Sequence, residues 1–136
     1  MNFFITSEAF ETVGQKMRDV YIQINPKINA LIKEKNYGLG VSEWGHICIS
    51  CPPEVYESGF FKEIKKYSKK VTDVELRLRI DYEEMLKADK KSVFSLICAS
   101  ILRGVDIAEH ELKVKNFEFE SFRNDLTNLF KEEGWL

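Results

Sequence analysis

His46, Cys48 and Cys51 are the residues of this chain whose types and spacing come nearest to metal or redox chemistry. A CxxC pair can grip zinc or cycle between thiol and disulfide, and a nearby imidazole could complete either site. The surrounding residues argue against both. Ile47, Ile49 and Cys51 alternate with His46, Cys48 and Ser50, the two-residue period of a half-buried strand. Residues three apart on a strand point to opposite faces, so Cys48 and Cys51 diverge as long as the strand holds. Redox-active CxxC pairs also sit at helix starts, where the macrodipole lowers the thiol pKa. Here Pro52 and Pro53 follow an extended run instead. Cys98 and His110 could join His46 and Cys48 only in a composite site that no spacing supports. The thiols read as structural, with no metal, no cofactor and no catalytic residue expected.

A second row of chemistry-bearing residues is Glu75, Arg77, Arg79 and Asp81, interleaved with Leu76, Leu78 and Ile80. Alternating acids and arginines could act as an acid/base site or a phosphate clamp. The simpler reading is a solvated sheet face with cross-strand ion pairs to Glu63 or Lys65. Gly38 and Gly40 do not make a nucleotide loop: the third glycine is missing and they follow a helix pattern. Trp44 stands between Glu43 and Gly45 in a turn-like segment, with Glu54, Tyr56 and Glu57 nearby along the chain. It either caps the core or anchors an interface, since Trp and Tyr dominate binding hot spots. An aromatic centre rimmed by carboxylates suits a basic protein partner.

The elements that must position these residues follow from hydrophobic period. Residues 3–6 form a short first strand. Ser7 is a candidate N-cap for a long helix whose stripe runs Val13, Met17, Val20, Ile24, Ile28 and Leu31. Pro26 should kink or split it near Asn25. Residues 37–51 read as extended, with a hairpin turn or a bulge at Ser42 to Gly45. Residues 60–67 form a further strand, and 74–82 is the clearest strand in the chain. Glu83 and Glu84 read as the start of a loop. Asp89 caps a second helix carrying Val93, Leu96, Ile97, Ile101 and Val105, and Asn116 begins a third with Phe119, Phe122, Leu126 and Phe130 inward. Gly134 stops that helix.

Size and charge bound the rest. The 136 residues make one domain, 1–136, with 44% hydrophobic and 31% charged residues. A net charge of −2 argues against a nucleic-acid binder, which needs a basic stripe. No apolar run approaches the ~20 residues of a membrane helix, and the N-terminus lacks the basic start of a signal peptide. Three cysteines without a framework spacing read as reduced thiols in the cytoplasm. The expected fold is α+β: an antiparallel sheet of about four strands packed against three helices in a two-layer single domain. A run of consecutive strands followed by helices disfavours a parallel βαβ arrangement.

The segments YGLGV at 37–41, WGHICISCP at 44–52, ELRLRID at 75–81 and LICASILR at 96–103 together resemble a family of small bacterial immunity proteins of polymorphic or contact-dependent toxin systems. The likeness is clearest from Tyr37 onward and rests on structural motifs. It implies a non-enzymatic cytoplasmic protein that binds a cognate toxin and covers its active site, and it carries over no catalytic residues. Expected contacts are Glu43, Trp44, Glu54, Tyr56 and Glu57, with Glu75, Arg77, Arg79 and Asp81 as the second surface. The alternative is a non-catalytic regulatory or structural domain that forms a homodimer through a sheet edge.

Overall fold

The computed structural model describes residues 2–6, 11–35, 37–38, 46–50, 61–66, 74–111 and 117–136. In chain order the elements are β1 (Asn2–Thr6), α1 (Glu11–Lys35), β2 (His46–Ser50), β3 (Phe61–Lys66), β4 (Val74–Arg79), α2 (Tyr82–Lys87), α3 (Lys90–His110) and α4 (Phe119–Glu132). Among the described residues, helices account for far more than strands do.

The expected antiparallel sheet under three helices is overturned. The strand order is β1-β2-β4-β3; β1 pairs with β2 in parallel, β2 with β4 in parallel, and only β3 runs antiparallel, against β4. Parallel neighbours need a long crossover. The 25-residue α1 supplies it, making β1-α1-β2 the βαβ unit that was disfavoured from the order of elements. A fourth helix, α2, is also present.

Two corrections concern element ends. Asp81 is not a strand residue: it is the N-cap of α2, and its Oδ2 accepts a hydrogen bond from the Glu84 amide at 3.0 Å. Glu83 and Glu84 therefore lie in the first helical turn, where carboxylates oppose the positive end of the macrodipole. Pro26 sits inside one uninterrupted helix. It is exposed, so the Ile22 carbonyl that loses its donor lies on the solvent-facing side, where water can replace the bond.

The core follows the stripes. Val13, Met17, Val20, Ile24 and Ile28 of α1 are buried against Val93, Ile97, Ile101 and Val105 of α3, Phe122, Leu126 and Phe130 of α4, and Ile49 and Leu78 of the sheet. Ile49 and Leu78 are register partners on β2 and β4, so one sheet face is covered. Lys16 of α1 donates from Nζ to the carbonyls of Leu86 and Ala88 at 2.8 Å. A cation there offsets the negative end of α2 and ties that short helix to α1.

Tyr37 is buried, and its hydroxyl donates to Asp125 Oδ2 at 2.7 Å while Lys35 approaches Asp125 Oδ1 at 3.3 Å. Burial, then the neighbouring carboxylates Asp125 and Glu34, hold the phenol well above its ordinary pKa. Its ring meets Phe122 edge-on at 4.9 Å, joining the end of α1 to α4. The sheet edges are β1 and β3.

Candidate protein-binding surface

The residues with metal or thiol chemistry fall in two described places, β2 and α3. His46 and Cys48 lie on β2, and Cys51 is outside the described residues. Cys98 is fully buried in α3, where burial pushes its thiol up to about 12. His110 ends the same helix, exposed, with Nδ1 2.9 Å from the Asp106 carbonyl oxygen. Twelve helical residues separate the two by about 18 Å, so they cannot share an ion. Among the described residues no three His, Cys, Asp or Glu side chains converge as metal ligands. A neutral, enclosed thiol should resist alkylation. Native protein at pH 7.5 is expected to show no labelling of Cys98 by iodoacetamide over an hour, with full labelling in denaturant. Site-resolved mass spectrometry reads this, and rapid native labelling of Cys98 would contradict the burial.

Glu43, Trp44, Glu54, Tyr56 and Glu57 lie outside the described residues. The second predicted surface is divided by the fold. On β4, the register sets Glu75 between His46 and Lys65, and Arg77 between Cys48 and Glu63.

Arg79 and Asp81 come together at the carboxyl end of β4, where they border a groove of about 500 Å³. Glu84 of α2 continues one wall. Ala99, Arg103 and Asp106 of α3 form the other side, and Leu96 and Leu136 supply apolar surface. Leu136 is 43% exposed, so an apolar side chain stands at a charged rim, the composition of a protein-contact patch.

The far wall is held rigidly. Arg123 of α4 donates through Nε to Asp106 Oδ1 and through Nη2 to Glu109 Oε2, each at 2.6 Å. The hydrogen bond to Glu109 raises the guanidinium pKa most, with Asp106 adding to it. One arginine thereby clamps α4 to α3, fixing Asp106 beside the groove. Arg79 and Asp81, singled out in the sequence, border this groove, and so do Glu84, Ala99, Arg103 and Asp106, which were not proposed as contacts. The available signal was the outward stripe of α3: Ser92, Ser95, Ala99, Arg103 and Asp106 recur at spacings of three and four opposite its core stripe.

No helix among the described residues is long and apolar enough to cross a membrane. The family model described as Immunity protein 44 matches residues 1–132. No curated protein and no solved structure matches the chain.

Proposed function

Because this chain belongs to the Immunity protein 44 family, whose model matches residues 1–132, we propose that it protects its host by binding a cognate toxin stoichiometrically and covering the toxin's active site. The family match carries this reading. The surface features agree with it: a groove with an apolar centre and charged rim suits a protein partner better than a small substrate. The reading needs no catalysis by this chain, since occluding a partner's site requires only affinity.

The contact surface we assign is the charged row of Glu75 and Arg77 continuing through Arg79 and Asp81 into the groove. Glu43, Trp44, Glu54, Tyr56 and Glu57 enter as a second set of candidate contacts. The protein would act in the cytoplasm, where its thiols stay reduced.

The test is titration of the toxin encoded beside this protein's gene. Toxin activity should fall linearly with added protein and reach its floor at one equivalent, with a single complex seen by light scattering. Reversing the charge of the row (Arg77→Glu with Arg79→Glu), or Trp44→Ala, should weaken the complex at least tenfold. Toxin activity that persists at excess protein would overturn the reading. Protection at a small fraction of an equivalent would overturn it too, because it would mean enzymatic inactivation.

A further inference from the structure

A hollow of about 450 Å³ lies between α1 and the start of α3. Val20, Val93 and Phe94, all buried, give it apolar walls, and Ile22 stands at its border 66% exposed. Among the described residues Ile22 is the most exposed large apolar side chain. An apolar knob and an apolar hollow thus sit side by side on one face of the protein.

The charges around this hollow are balanced and unpaired. Lys16 also borders it, but its ammonium is taken up by the carbonyls of Met85, Leu86 and Ala88. One acid and one base remain. Among the described residues, the Asp19 carboxylate takes only the Gln15 side-chain amide, at 2.6 Å, and the Lys90 ammonium takes nothing. The two border the same hollow without bridging each other. A purely apolar occupant would strip water from both charges and leave them unmatched. The occupant must therefore bring an anion to Lys90, a cation to Asp19 and an apolar group between them.

A second copy of this chain carries that set already. Turned about a two-fold axis over the hollow, it sets its Asp19 against Lys90, its Lys90 against Asp19, and its Ile22 over the apolar walls. Each contact made once is made twice, as in any isologous interface. We infer that the protein forms a two-fold dimer through this face, with α1 and the start of α3 packed on the same elements of the partner. Helix faces, and not sheet edges, join the copies. The face shares no lining residue with the groove at the end of β4, so each protomer keeps the surface assigned above to the toxin.

Sedimentation equilibrium of the full chain tests this. The parent should reach twice the chain mass at roughly 100 µM, the weakest affinity at which such a contact is useful to measure. Ile22→Glu should weaken self-association at least tenfold. Asp19→Lys sets like charges against the partner's Lys90 at both contacts, and Lys90→Asp does the same against the partner's Asp19. Each charge variant alone should therefore be monomeric. Mixed in equal amounts they should form a dimer with each other, because every contact is then lysine against aspartate. All three positions are exposed, and circular dichroism confirms that the variants fold. A monomeric parent overturns the proposal. A dimer that Ile22→Glu leaves intact overturns it as well, since the copies would then join elsewhere. So does a mixture of the two charge variants that stays monomeric.

Discussion

Phe122→Ala should cost about 3–5 kcal/mol, the range for emptying a fully buried aromatic site. That is a large part of the 5–15 kcal/mol that holds a typical domain together. Phe122 is completely enclosed, with its ring edge-on to Tyr37 at 4.9 Å and to Phe117 at 5.5 Å. Removing it strands the Tyr37 ring and empties the junction of α4 with the end of α1. The melting temperature is expected to fall by roughly 10–15 °C for a domain of this size. Phe122→Leu, which retains most of the volume, should cost far less. A drop below about 3 °C for the alanine variant, measured by calorimetry, would mean that this cluster does not fasten α4.

The second large effect is at Trp135. α4 ends in a paired-bond stop: the Gly134 amide donates to the Lys131 carbonyl at 3.1 Å and the Trp135 amide to that of Phe130 at 2.8 Å, with Gly134 at φ +74°. This is the Schellman arrangement, and it turns the indole back onto the protein. Trp135 stacks on Phe94 of α3 at 5.3 Å with planes 8° apart, and its carbonyl accepts from Ser95 Oγ at 3.0 Å. Trp135→Ala should therefore cost about 3 kcal/mol, although the residue lies beyond the 1–132 span of the family match. Gly134→Ala separates backbone from packing: a Cβ there meets nothing within 4 Å, so its cost of about 1 kcal/mol is conformational alone. Urea denaturation of both variants gives the comparison. Equal effects would show that the indole contributes little beyond the turn.

How much of this was legible depended on the length of each signal. α1, α3 and α4 carry apolar stripes over three or more turns, and their buried residues are those the period selects. Asp89 caps α3 through the Ser92 amide, and Gly134 stops α4, both from local chemistry. Strand direction was not legible, because alternation records which face a residue occupies and says nothing about which way its neighbour runs. α2 escaped because six residues hold under two turns, too few to show a period. Its true signal, an acidic cap at Asp81 with Glu84 three residues on, was overridden by the alternation that seemed to carry β4 through Tyr82. The groove was half legible for a similar reason. Arg79 and Asp81 stood out in a charged row, whereas Ala99, Arg103 and Asp106 are ordinary outward residues until α3 is packed beside α2.

The strand order has a consequence for synthesis. β2 and β3 are consecutive in the chain, yet β4 lies between them, so the central gap is filled by the last of the four described strands to leave the ribosome. At about 5–20 residues per second, β2 waits some seconds with its ladder open on that side before residue 79 emerges. A nascent chain stalled in this window exposes a bare pairing edge, which makes it prey for proteases or for other unfinished copies.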